Sequence, residues 1–258
     1  MFDPGKIVHQ SFINHVEYHE TLDSTNKLAR ELLDDLLPVC PALVLTDRQT
    51  AGRGRGSNVW LATEGALTFS VVMDSDTFQL PPNQLPLVSL AAGLAVHHSI
   101  QQLAKSHTVS IKWPNDVLLN EQKVSGILTE QHQVATNSAC IIGIGVNINN
   151  SLRTHDQQFK VAPTSLFDVT SQTADLSAIL ICILNELNQR LDQLAESPAE
   201  FFMELNKHSF LNDRTISIDA GNQIHEGTCR GIDDDGYLML QVGSELKAIV
   251  AGSVVSWK

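Results

Sequence analysis

The chain is short of positive charge, of cysteine and of long apolar runs. Lys and Arg number 17 against 29 Asp and Glu, a formal net charge of −12 at pH 7. Proteins that bind nucleic acid usually carry a basic face, so this balance argues against DNA as a partner while allowing a local positive pocket. There are four cysteines, Cys40, Cys140, Cys182 and Cys229, widely spaced and without a C-x-x-C pair. That excludes a zinc ribbon and a disulfide framework, and reads as reduced thiols of a cytoplasmic protein. Every apolar stretch is interrupted by His, Gln or Asn, whereas a membrane span needs about 20 apolar residues. The N-terminus has no basic segment followed by an apolar run, so no signal peptide is expected. His97 and His98 lack Cys, Asp or Glu at ligand spacing and read as surface or helix-packing residues; no metal site is expected.

What is present is ordinary in bulk and unusual in places. The 258 residues, 43% hydrophobic and 18% charged, can form one large domain or a medium one with a small partner. The most distinctive stretch is Gln49 to Trp60, with Gly52, Gly54 and Gly56 alternating with Arg53 and Arg55. Glycine costs too much backbone entropy for that segment to be helix or strand, so it reads as a mobile loop. Arginines on such a loop can bring planar charged forks onto a phosphate or carboxylate. Ahead of it, Asp23-Ser24-Thr25-Asn26 leads into Leu28, Ala29, Leu32, Leu33, Leu36 and Leu37, which predicts a helix capped by Asp23 or Ser24 and ended by Pro38 and Pro41. Strands are predicted at 42–46 and 65–73, on either side of the loop. Pro81, Pro82 and Pro86 mark a break before a helix over 87–104.

Ser110 to Leu119 reads as a strand kinked at Pro114, with Lys112, Trp113, Asn115 and Asp116 packed around the kink. A hairpin turn at Asn120–Lys123 leads into a strand over 124–130 containing Gly126. A strand over 139–149 carries Gly143 and Gly145 on one side, leaving room for a flat ligand. Residues 151–163 read as loop, Thr164-Ser165-Leu166 as a short helix start, and 176–194 and 198–207 as helices. From Asp213 the pattern turns to short alternating strands with turns at Gly221-Asn222, Asp234-Asp235-Gly236 and Gly243-Ser244. That predicts a small antiparallel barrel of four or five strands, with a domain boundary near residue 210.

These segments, in this order, resemble the biotin protein ligases. The resemblance is carried by Asp23-Ser24-Thr25-Asn26, the Gln49–Trp60 loop, Lys112-Trp113-Pro114-Asn115-Asp116, Lys123-Val124-Ser125-Gly126-Ile127-Leu128-Thr129-Glu130 and Gly143-Ile144-Gly145-Val146-Asn147. Arg230-Gly231-Ile232-Asp233 and Gly236-Tyr237-Leu238 resemble the family's SH3-like module. Ser57 and Asn58 depart from the family's usual loop, which puts its fine behaviour in question. No helix-turn-helix module precedes the motifs and no long extension is seen, so a monofunctional member without a repressor role is expected.

The resemblance implies an α+β fold: a class II synthetase-like biotin/lipoyl ligase domain over 1–209, a mixed sheet flanked by helices, and an SH3-like β-barrel over 210–258. It implies ATP and biotin as substrates, Mg2+ as helper, and the biotin carboxyl carrier protein of acetyl-CoA carboxylase as partner. A homodimer through sheet edges is allowed. Biotin would meet Ser24, Thr25, Asn26, Gln49, Gly52, Arg53, Gly54, Arg55, Lys112, Gly126 and Gly143. ATP would meet Arg53, Arg55, Trp60, Lys112, Gly145 and Asn147, with Trp60 near adenine. Lys112, Arg53 and Arg55 would be catalytic, and Asn115 and Asp116 would either orient Lys112 or only build the kink. A lipoate protein ligase and a non-catalytic biotin-binding module are the alternatives.

Overall fold

The computed structural model describes residues 2–74, 85–134, 137–153, 161–221 and 223–258. Pro81, Pro82, Asn222 and most of the predicted 151–163 loop lie outside them. Among the described residues the backbone forms a seven-stranded mixed sheet and a five-stranded antiparallel sheet.

The first sheet has the order β1-β2-β3-β7-β6-β5-β4, with β1 His15–Leu22, β2 Ala42–Gln49, β3 Ala66–Asp74, β4 Val109–Lys112, β5 Asp116–Leu119, β6 Gln122–Val134 and β7 Asn137–Asn147. Only β1 and β2 run parallel. The central strands β3 and β7 are buried on both faces, β3 almost wholly so, which suits their Val, Ile and Leu content. Helix α4 (Leu85–Leu103) lies between this sheet and α6 (Leu176–Glu196). It is apolar nearly all round because neighbours cover both sides. Pro86 sits in its first turn, where a missing N–H costs nothing. Helix α6 is one-sided: Ile179, Leu180, Ile183, Leu184, Leu187, Leu191 and Leu194 are buried, and Asp175 caps it by accepting from the Ser177 and Ala178 N–H groups. Short α5 (Leu166–Thr170) starts at Ser165, and α7 is Pro198–Lys207.

Several segments differ from their sequence reading. The helix expected after Asp23 is broken into α2 (Thr25–Glu31), α3 (Leu33–Leu36) and a 3-10 turn through Pro38. Its Ser24 side chain makes no cap bond. Gln49 Oε1 instead takes the Thr25 N–H at 2.7 Å, so a distant strand supplies the cap. The expected kink at Pro114 is a full reversal: β4 and β5 pair antiparallel, with Lys112 opposite Asp116. Helix α1 (Pro4–Gln10) and β1 carry no strong pattern. β1 is an edge strand whose residues are mostly half-buried, so its side chains do not alternate cleanly between oil and water.

The second sheet has the order β11-β10-β9-β8-β12, with β8 Thr215–Asp219, β9 Ile224–Ile232, β10 Leu238–Val242, β11 Glu245–Ile249 and β12 Ser253–Trp257. β12, which the sequence reading did not name, pairs with β8. The two sheets are clamped together. Phe210 N–H donates to the Ile111 carbonyl, and the buried Trp113 indole donates to the Gly236 carbonyl at 3.0 Å. Trp113 therefore serves the core between the sheets.

Candidate active site

Between the sheets lies a cavity of about 940 Å³. The N-terminus of α2 gives it Ser24, Thr25 and Asn26, and the end of β2 gives Gln49. The 53–60 loop, the β4–β5 turn, β6 and β7 form its sides, and Asp219–Gly221 and Ala251–Val254 of the second sheet close it. Of the residues selected from sequence, Ser24, Thr25, Asn26, Gln49, Arg53, Gly54, Arg55, Trp60, Lys112, Gly126, Gly143 and Gly145 line it. Gly52 and Asn147 do not. Gly52 is tucked against the Trp60 carbonyl, and the Asn147 amide oxygen accepts from Asn150 at 3.1 Å.

The loop folds as a small hairpin. Arg53 bridges to Val59, Gly54 N–H donates to the Asn58 carbonyl at 2.8 Å, and the Asn58 side-chain amide donates to the Arg55 carbonyl at 2.8 Å. Asn58, a departure from the family pattern, thus helps close the loop. Arg55 reaches across to donate to the Gly252 carbonyl at 2.8 Å.

The bare face of β7 has its own occupants. A Cβ on Gly143 would sit 2.1 Å from Asn26 Oδ1, and one on Gly145 would sit 2.3 Å from Trp60 Cε2. The space expected for a flat ligand is filled by the chain's own amide and indole. Both glycines are required by close approach. Trp60 Nε1 and Thr68 Oγ1 are buried without a hydrogen-bond partner among the described residues. Buried polar atoms are seldom left unpaired, so these are natural points for a ligand to touch.

Charge is concentrated here. The lining holds four cations, Arg53, Arg55, Lys112 and Lys123, against two carboxylates, Asp116 and Asp219, in a protein of net charge −12. Asp116 stands between the lysines, 2.5 Å from Lys123 Nζ and 3.7 Å from Lys112 Nζ. The Lys112 side chain is 6% exposed and its Nζ lies 5.3 Å from the Trp257 ring centroid. The Lys123 side chain is 29% exposed, with its Nζ over Gly126. Lys123 is therefore the more accessible cation, and sequence reasoning noted it only as part of a longer segment. The available signal was the turn. Asn120 and Glu121 both have positive φ, which folds Lys123 back beside Asp116. Asn115, in the β4–β5 turn, ties that turn to β6 by donating to the Ile127 carbonyl at 2.7 Å. Thr68 and the two second-sheet loops were also missed, since only tertiary pairing brings them here.

A mixed sheet with this cavity at its edge defines a ligase of the biotin/lipoate type. Residues 18–147 match the Biotin/lipoate A/B protein ligase family, and residues 212–257 match the Biotin protein ligase C terminal domain. The chain belongs to the biotin protein ligase family and is an ATP-dependent ligase. It is 34% identical over 248 residues to the bifunctional ligase/repressor BirA of Bacillus subtilis, covering 93% of this chain and 73% of that one. The biotin–[acetyl-CoA-carboxylase] ligase of Mycobacterium tuberculosis is 32% identical over 217 residues, 83% of this chain and 78% of that relative. Among solved structures, biotin protein ligase from Aquifex aeolicus in complex with biotin and ATP superposes with a TM-score of 0.80. It is 27% identical and covers 95% of this chain and 99% of that one. Among the described residues no helix is long and apolar enough to cross a membrane.

Proposed function

We propose that this ligase attaches biotin to a lysine of the biotin carboxyl carrier protein of acetyl-CoA carboxylase through biotinyl-AMP. The observation that carries the reading is the four-cation cavity next to a wall of hydroxyl and amide side chains. In the first step a biotin carboxylate oxygen attacks the α-phosphorus of ATP, and the bond to the β-phosphate breaks to release pyrophosphate. In the second, the acceptor lysine amine attacks the acyl carbon, the acyl–oxygen bond breaks, and AMP leaves.

The physical difficulty is bringing one anion up to another. Fixed cations relieve it most where charge builds up in the transition state. Lys112 and Lys123, both held by Asp116, would meet the biotin carboxylate and the α-phosphate. Arg53 and Arg55 would fold over the intermediate and shield the anhydride from water. Ser24, Thr25, Asn26 and Gln49 would hold the ureido ring, whose carbonyl and N–H groups need both donors and acceptors. Trp60, Gly145 and the unpaired Thr68 hydroxyl would border the remaining substrate surface. Mg2+ would be held chiefly by the substrate phosphates, because Asp116 is already engaged by Lys112 and Lys123. It would neutralise phosphate charge.

The test is ATP- and Mg2+-dependent transfer of biotin to a purified carrier domain, with lipoate run in parallel. Transfer of biotin alone is expected. Transfer of lipoate in its place, or pyrophosphate release without transfer, would overturn the reading.

A further inference from the structure

A chain of buried hydrogen bonds runs behind the cavity wall, and its direction is forced. Asn26 Nδ2 donates to Glu130 Oε2 at 2.7 Å and to the Leu128 carbonyl at 3.2 Å. An ionised carboxylate and a backbone carbonyl can only accept, so the amide nitrogen must face them and Oδ1 must face away. Ser70 Oγ lies 2.6 Å from that Oδ1 and 2.7 Å from Thr25 Oγ1. Ser70 has one proton and Oδ1 can only accept, so the proton goes to Asn26; Thr25 Oγ1 also has one proton, and with Gln49 Oε1 farther away at 3.2 Å and already served by the Thr25 N–H, it gives that proton to Ser70. At the other end, the Thr25 N–H can only donate, and it fixes Gln49 Oε1 at 2.7 Å. Gln49 is left to offer a ligand its NH2, while Asn26 and Thr25 are left to offer oxygen lone pairs.

We infer that Ser70 and Glu130 are positioning residues that set this polarity and thereby select a ligand bearing N–H groups beside a carbonyl. Neither is among the residues lining the cavity; Ser70 is wholly buried in β3 and Glu130 lies on β6. Both act through Asn26, which the chain holds over Gly143. The inference rests on the biotin reading above and deepens it: the ureido group is recognised because one carboxylate and one backbone amide anchor the two ends of the relay. Without the Glu130 charge only neutral acceptors, the Leu128 carbonyl at 3.2 Å among them, hold the Asn26 nitrogen in place, so the hold on the amide's orientation weakens.

The experiment compares wild type with Glu130→Gln and Ser70→Ala in ATP-dependent pyrophosphate release. It uses biotin and the two cyclic-carbamate analogues in which one or the other ureido N–H is replaced by oxygen. Each variant is expected to raise the biotin KM about tenfold, the scale of one charge-assisted hydrogen bond. The kcat and the ATP KM should stay as in wild type. With one of the carbamates, which lacks the N–H facing Asn26, the variants should lose little more than wild type already has. An equal loss with biotin and both carbamates, or a fall in kcat alone, would mean a merely structural role and overturn the inference. So would unchanged biotin KM in both variants. Ser70→Ala, a deletion of one oxygen, guards against a folding failure of Glu130→Gln. If wild type itself does not activate biotin, the functional reading fails first and this inference falls with it; if wild type does and the variants match it, only the inference fails.

Discussion

Two buried polar clusters occupy this molecule, and they solve the same problem in opposite ways. Behind the cavity, Thr25 donates to Gln49 on one side and, through Ser70 and Asn26, toward Glu130 on the other, and Thr25, Asn26 and Gln49 share the cavity lining with four cations. On the far side of the sheet, His97, His98 and His208 crowd between α4 and the end of α7, with the His97 and His208 rings 4.2 Å apart. His97 is 1% exposed, and one ring nitrogen lies 3.2 Å from the Val109 carbonyl. Burial, then the nearby His208 and His98, pushes its pKa down to about 3. The first cluster uses one carboxylate to orient amides and hydroxyls that line a space. In the second, burial disfavours charge on the central His97, and its ring fills space. Among the described residues no group of His, Cys, Asp or Glu is arranged to hold a metal ion. Polar burial marks a site only when it is directed toward a cavity.

The largest effect that would sharpen this contrast lies with the lysines. Removing one preorganised charged donor typically costs about 100- to 1000-fold in rate. Lys123→Ala and Lys112→Ala are each expected to slow ATP-dependent biotin activation on that scale, since both side chains line the cavity. Single-turnover pyrophosphate release measures it. Near-normal rates in both variants would place the charge chemistry elsewhere.

A smaller effect separates glycines of the two regions. Gly143→Ala would put a Cβ 2.1 Å from Asn26 Oδ1, and Asn26 is tied to Glu130 and Ser70, so it yields only at a cost. Overpacking of that kind costs about 1–3 kcal/mol, and biotin KM should rise with it. Gly93→Ala, in α4 on the other region's side, would meet nothing nearer than Ile111 Cγ2 at 3.7 Å. There the helix should gain about 0.5–1 kcal/mol, with activity unchanged. Urea midpoints and biotin KM for the two variants check both halves. Equal midpoints would remove the argument that the β7 face is filled by design.

The contrast also explains what could be read from sequence. The glycine–arginine loop, the Lys112–Asp116 segment and the Gly143/Gly145 pair are local patterns, and local patterns fix local backbone. The order of strands around the loop followed from them. What Gly143 makes room for did not follow: its neighbour Asn26 comes from α2, and the Glu130 that orients Asn26 comes from β6, 104 residues away in the chain. The Pro114 reversal was read as a kink because a two-strand turn and a bent strand share the same proline signal. The cavity wall at Asp219–Gly221 and Ala251–Val254 comes from turns of the second sheet, whose polar residues look like any surface turn until the sheets dock. His97 was read as surface or packing, and the structure makes it packing; periodicity could place it on α4 but could not show that His208, from beyond α7, would cover it.

The smallest effect at neutral pH belongs to that histidine. In the unfolded chain its pKa is near the ordinary 6.5, and in the folded protein it is about 3. Between those values the unfolded state binds the extra proton, so folded stability falls as pH drops below 6.5 and this contribution levels off near 3. The slope is about 1.4 kcal/mol per pH unit for one such group. His98 and His208 share the cluster, with Glu204 beside His98 at 2.9 Å and Lys207 acting on His208, and burial also holds the His208 pKa below its ordinary value, so His208 adds to the slope. His97→Gln keeps a donor for the Val109 carbonyl but cannot take up a proton. Its stability should therefore lie close to wild type above pH 7 and fall less steeply below pH 6.5, while biotin activation at pH 8 is unaltered. Urea denaturation from pH 8 to pH 5 measures the slope. Parallel curves for the two proteins would mean that the acid sensitivity resides in another group and that the His97 ring is not held neutral by its burial.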